Sequence, residues 1–187
     1  MADIRWFISG KHPAFADYLN FGCASHLSST FSNWVRLGFE RHVSEGGSSR
    51  QPCAYRFWAK ADEKHGVVIG ILKSSADSLG RPFPILILGT ASLKGWKDQW
   101  QILAEHLEVP WAGMELIADT AYEKPAMLIR DLSEINLPGL KGRPGLKNSE
   151  AVPNLLFIGG CHEKQSIIRY TEPLTAQDFI RLWTDDF

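Results

Sequence analysis

Two unbroken apolar runs, Val67-Val68-Ile69-Gly70-Ile71-Leu72 and Ile85-Leu86-Ile87-Leu88, limit what this chain can fold into more than any other feature. Runs of this length and composition read as buried strands. Between them lies Ser74-Ser75-Ala76-Asp77-Ser78-Leu79-Gly80-Arg81-Pro82-Phe83-Pro84, a block of small polar residues with one acid, one base, a glycine and two prolines. Such a block has to be a shaped connection at the end of a sheet, and loops held by a rigid scaffold are where function concentrates. Pro82 and Pro84 fix their own φ and push Arg81 and Phe83 toward extended conformations, so the loop is stiff and aims Asp77 and Arg81 in defined directions.

The rest of the chain fits around that sheet. At 187 residues it has the size of one domain, taken as residues 1–187, with enough chain for a substantial core. Apolar content of 44% and charged content of 22% are those of an ordinary globular protein. A net charge of −1 provides no basic field and argues against nucleic acid as a partner. No basic-then-apolar leader follows Met1 and no apolar run is long enough to span a bilayer, so neither a secretory signal nor a membrane span is expected. Three scattered cysteines, Cys23, Cys53 and Cys161, suit a reducing cytosol better than a disulfide framework. The seven tryptophans are expected chiefly as core anchors.

Strands are predicted at residues 4–9, 54–59, 67–72, 85–88, 154–158 and 166–170. A helix is predicted over 27–42 with Ser28 or Ser29 as its cap, another from Trp96 to a stop at Pro110, a third over 111–121 and a fourth from Pro125 to about Leu132. Thr175 and Asp178 resemble a capping box that opens a last helix to Trp183. Asp62 to Gly66 reads as a hairpin turn, and residues 136–153 as a long irregular connection with a basic cluster at Lys141, Arg143 and Lys147. Hairpin-joined strands argue for a mostly antiparallel central sheet of five to six strands, and helices on both faces give an α/β (α+β) fold, a three-layer α/β/α sandwich.

The chemistry-bearing residues form no familiar catalytic set. Gly10-Lys11 follows a strand, but the glycine spacing of a phosphate loop is missing and His12 stands where a magnesium-binding Ser or Thr is needed. None of the six histidines has a partner at metal-ligand spacing, and no cofactor is called for. Ser74 or Ser75 beside Asp77 lacks the nucleophile elbow and an identifiable base. Asp17 and Arg81 form the better pair. Each sits in a Gly- and Pro-rich connection after a strand, and Arg81 can make a bidentate contact to Asp17 or Asp77. That pair either braces two loops or, through the braced surface, docks a partner.

Taken together, these residues resemble the type VI secretion accessory proteins called TagF or ImpM. The family's Gly-Lys-x-Pro-x-x-Gly-Asp-Phe block is matched by Gly10-Lys11-His12-Pro13-Ala14-Phe15-Ala16-Asp17-Tyr18. Its Ser-x-Asp-x-x-Gly-Arg-x-Phe-Pro block is matched by Ser75 to Pro84, through Asp77, Gly80, Arg81, Phe83 and Pro84. Between them, Trp34 matches a Trp-bearing helix and Phe57-Trp58 an aromatic strand. Ala16 and Tyr18 depart from the pattern, and alanine would be strained if the family glycine needs positive φ.

The resemblance implies a cytoplasmic, non-catalytic regulator that acts after translation to restrain assembly or firing of the secretion machine. It implies protein partners within that system, the forkhead-associated scaffold protein among them. The alternatives are a small hydrolase using Asp17 and Asp77, or a structural part of the apparatus. Asp77, Gly80 and Arg81 are expected to brace the sheet end, with Asp17 as their neighbour.

Overall fold

The structure is a computed structural model that describes residues 4–23, 25–61, 66–137, 151–162 and 165–184. The chain runs β1 (Arg5–Gly10), β2 (Leu19–Gly22), α1 (His26–Ser44), β3 (Cys53–Lys60), β4 (Gly66–Lys73) and β5 (Ile85–Ser92). A short 3-10 helix (Trp96–Gln99) follows, then α2 (Leu103–Asp119), α3 (Pro125–Glu134), β6 (Leu155–Cys161), β7 (Ser166–Tyr170) and α4 (Ala176–Thr184). Seven strands make one sheet in the order β2-β1-β5-β4-β3-β6-β7, antiparallel throughout. The fold is α+β.

The apolar runs are continuous because both sides of the central strands are buried, which removes the polar alternation of a half-exposed strand. Val67, Ile69 and Ile71 of β4 and Ile85 and Ile87 of β5 join one core, with Leu103, Leu107, Trp111 and Met114 of α2 and Leu128 and Leu132 of α3. Val68, Leu72, Leu86 and Leu88 join the other, with Phe31, Trp34, Val35 and Phe39 of α1 and Phe179, Leu182 and Trp183 of α4. Gly70 has no room for a side chain, since a Cβ there would stand 2.5 Å from the Ile87 carbonyl oxygen. Among the described residues no helix is long and apolar enough to cross a membrane.

Several expectations need correction. The sheet has seven strands where five to six were expected. The extra one is β2, which pairs Asn20 with Ser9 and Phe21 with Ile8. Its four residues, Leu19-Asn20-Phe21-Gly22, are too few for their alternation to stand out as a strand. The stretch from Trp96 gives only the 3-10 helix, and α2 then runs straight through Pro110. A proline inside a helix costs about 3 kcal/mol. Burial of Leu107, Trp111, Met114 and Ile117 along the same face, at about 1.5–3 kcal/mol for each large side chain, outweighs it. Helix α1 is capped by Ser25, upstream of the expected Ser28 or Ser29. The Ser28 N–H donates to Ser25 Oγ at 3.1 Å, and the Ser25 N–H donates to Ser28 Oγ at 2.7 Å. At α4 the Thr175 N–H donates to Asp178 Oδ2 at 2.8 Å, one arm of the predicted box.

The cysteine reading also changes. Cys53 and Cys161 face each other in register across β3 and β6 and form a disulfide, while Cys23 is free and exposed. A separation of 108 residues hides such a pair from any spacing rule. Cysteine usage therefore gives no support to a reducing compartment. The hairpin turn at 62–65 and the basic cluster at Lys141, Arg143 and Lys147 lie outside the described residues.

Candidate functional site

The site grows from the two connections at one end of the central strands. The β4–β5 loop closes on Asp77, which is buried at 3% exposure. Its Oδ1 accepts the Leu79 N–H at 3.0 Å and the Arg81 N–H at 2.9 Å. Its Oδ2 accepts Arg81 Nε at 2.6 Å and lies 3.1 Å from Lys11 Nζ. The Asp77 N–H donates to the Arg81 carbonyl at 3.1 Å, and the Gly80 N–H to the Asp77 carbonyl at 2.8 Å. Gly80 takes φ of +75°, a conformation that suits glycine. Ala76 and Pro82 form an isolated bridge, and the Phe83 N–H donates to the Ser75 carbonyl at 3.0 Å. The loop is thus a miniature hairpin wound around one carboxylate. Burial by itself would raise the Asp77 carboxyl. The Arg81 backbone N–H and the Lys11 and Arg81 side chains outweigh burial and hold it at about 2.

The first motif block locks onto this hairpin. Gly10 has φ of +124°, and a Cβ there would stand 2.1 Å from the Pro84 carbonyl oxygen, so only glycine lets β1 leave the sheet against that strand. Lys11 Nζ donates to the Arg81 carbonyl at 3.2 Å. The Ser78 N–H donates to the Phe15 carbonyl at 2.9 Å, and Arg81 Nη2 to the Ala16 carbonyl at 2.6 Å. The Phe83 ring lies 5.3 Å from Tyr18 and 5.1 Å from Phe39, both edge-on. The Tyr18 hydroxyl shares a hydrogen bond of 2.7 Å with Ser9 Oγ, an interaction that a phenylalanine would lack. Ala16 carries no strain of the anticipated kind. Among the described residues His162, at φ of 52°, is the one non-glycine in the positive-φ region.

Gly10, Lys11, Ser75, Asp77, Gly80, Arg81, Phe83 and Pro84 therefore converge, and Pro13 forms an exposed turn beside them. Asp17 does not join. It is exposed, and no ion pair links it to Arg81 among the described residues. The acid that Arg81 meets is Asp77, four residues away in its own loop, because that carboxylate is the buried one. Trp34 and Trp58 stand apart, in cores on opposite faces of the sheet. Trp34 Nε1 donates to the Thr175 carbonyl at 2.7 Å, and Trp58 packs edge-on against Trp96 at 5.4 Å.

Two residues contribute to the brace in ways the sequence did not reveal. His12 is fully buried. Its Nδ1 accepts the Ala14 N–H at 3.1 Å, which fixes the proton on Nε2, donated to the Ile117 carbonyl at 2.9 Å. Burial lowers its pKa, so it stays neutral and ties the motif loop to the end of α2. Arg50 reaches from the α1–β3 loop, where Nη2 donates to the Gly80 carbonyl at 3.1 Å.

A cleft of about 360 Å³ opens nearby between Pro52, Lys73, Ser74, Gly159, His162 and Gln165. Ser74 Oγ in it accepts the Cys53 N–H at 2.7 Å and donates to the Gln51 carbonyl, so its hydroxyl is committed to backbone. No group of three His, Cys, Asp or Glu among the described residues is placed to hold a metal ion.

A family model described as the TagF N-terminal domain, type VI secretion system-associated, matches residues 7–128. The crystal structure of PA0076 from Pseudomonas aeruginosa PAO1 superimposes with a TM-score of 0.63 at 16% identity. That superposition covers 99% of this chain and 96% of the other, a likeness of fold. No curated protein matches in sequence.

Proposed function

The chain belongs to the type VI secretion system-associated TagF family, and from that membership we propose that it is a non-catalytic regulator that restrains assembly or firing of the machine by protein–protein contact. The observation that carries this reading is the state of Asp77. Both of its oxygens are filled by backbone N–H groups and cations, which leaves it ionised and unavailable as a general acid or base. The Lys11, Asp77 and Arg81 side chains of the two motif blocks are spent on holding shape. A surface so stiffly defined suits recognition, since little freedom is lost when a partner docks.

In the same reading the protein acts in the cytoplasm and after translation, and its partner belongs to the secretion system, with the forkhead-associated scaffold as the first to test. The same reading takes the fold as a three-layer α/β/α sandwich, supported by α2 and α3 in one core and α1 and α4 in the other. The decisive experiment deletes the gene in its host and measures a type VI substrate in the culture supernatant. Secretion rises if the chain restrains the machine. Unchanged secretion, with no secretion component retained by the immobilised chain, refutes it.

A further inference from the structure

We infer that the tip of the β4–β5 turn is a binding knob: Leu79, held rigid on a turn that Lys11, Arg50 and Arg81 contact, seats in an apolar socket with an acidic rim on a protein partner. The inference rests on the regulatory reading above and gives that partner surface its chemistry.

Leu79 is 68% exposed at the apex of the turn. It contributes to neither core. Yet its backbone is fixed by the bond to Asp77 Oδ1, and its neighbours Gly80 and Arg81 are bonded on both sides. A rigidly mounted apolar side chain loses little freedom when a partner covers it, and an arginine beside it adds a second anchor of the kind interfaces favour.

The rim sets the partner's charge. Lys11, Arg50 and Arg81 all contact this one turn, against Asp77 and the exposed Asp17 as the acids of the two motif loops, so positive charge is in excess. Arg50 spends one N–H on the Gly80 carbonyl, and its exposed guanidinium keeps donors for a carboxylate. The outer face of α2 offers the contrast. Leu116 there is 69% exposed, but its helix carries Glu105, Glu108, Glu115 and Asp119 and no Lys or Arg.

The test returns variants of the full chain to the deletion strain and measures secretion. Leu79→Ser, Leu79→Ala and Arg50→Glu are expected to unfold at the parent's temperature, yet to leave secretion at the deletion level, the behaviour of a contact weakened about tenfold or more. Arg50→Lys, and the controls Leu116→Ser and Arg36→Glu, restore restraint as the parent does. Parent-level restraint by either Leu79 variant refutes the socket, and by Arg50→Glu refutes the acidic rim. If the parent chain itself fails to restore restraint, the regulatory reading falls and this inference falls with it.

Discussion

Two helical glycines, Gly38 in α1 and Gly113 in α2, should respond to alanine with opposite signs. The propensity term is the same at both sites, since alanine in a helix interior is favoured over glycine by about 1 kcal/mol. What differs is the neighbour. A Cβ on Gly38 would stand 2.4 Å from both Cβ and Cγ of Phe179, where carbon atoms normally rest at roughly 3.5–4.0 Å. Phe179 cannot swing aside. It is fully buried, stacked on Trp183 at 4.8 Å between centroids and edge-on to Trp34 at 5.4 Å. The strain therefore falls on the spacing of α1 and α4, and overpacking of that kind costs about 1–3 kcal/mol. Loss of burial as α4 backs away adds to it. Net of the propensity gain, Gly38→Ala should destabilise by about 1–2 kcal/mol. At Gly113 the nearest atoms are the flexible end of Ile135 at 3.3 and 3.4 Å, which can give way, so Gly113→Ala should be neutral or stabilising by up to about 1 kcal/mol. Equilibrium urea unfolding of the two variants, read as midpoints at unchanged slope, checks both numbers. A Gly38→Ala variant as stable as the parent, or two shifts of the same sign, would refute the packing of α4 on α1 described here.

Acid provides a second check. Asp77 titrates at about 2 in the folded protein against an ordinary 3.8, so its contribution is complete above about 3.8 and fades as pH falls toward 2. Asp77→Asn should flatten that part of the stability–pH curve in urea titrations, and an unchanged slope would show the carboxylate is not braced as described. The Cys53–Cys161 disulfide joins residues 108 apart, for which chain entropy gives about 5 kcal/mol. Cys53→Ser together with Cys161→Ser should lower stability by up to that amount, and alkylation without prior reduction should label only Cys23 in the parent.

How much of this was legible depends on how local each cause is. The strands β4 and β5 could be read because burial on both faces leaves its mark within each run. The end of α2 could not, because Pro110 is a strong local stop and the burial that overrides it comes from the sheet. The brace was half legible. Asp77 and Arg81 share a loop four residues apart, but Asp17 competes for the same arginine on paper, and only the fold reveals which carboxylate is buried. Arg50 gave no signal at all. It sits 30 residues before Gly80 in a Gly- and Ser-rich stretch that reads as slack loop. The cysteine pair was misread for the same reason, since the register of β3 and β6 is what brings the sulfurs together.

The pairing of β3 with β6 bears on how the protein is made. The family match ends at residue 128, but the sheet does not. One flank of β3 belongs to β6, and the core beneath Phe57 needs Phe157, Phe179 and Trp183 from the far end of the chain. As the chain leaves the ribosome, β3 can pair with β4 at once and then waits for its other neighbour. Cys53 waits 108 residues for Cys161. Throughout that interval a strand rich in aromatic residues presents an open edge, the state in which nascent chains find wrong partners. The last third of the chain is therefore the step that closes the molecule, and a ribosome stalled before β6 would release a sheet with its aromatic side uncovered.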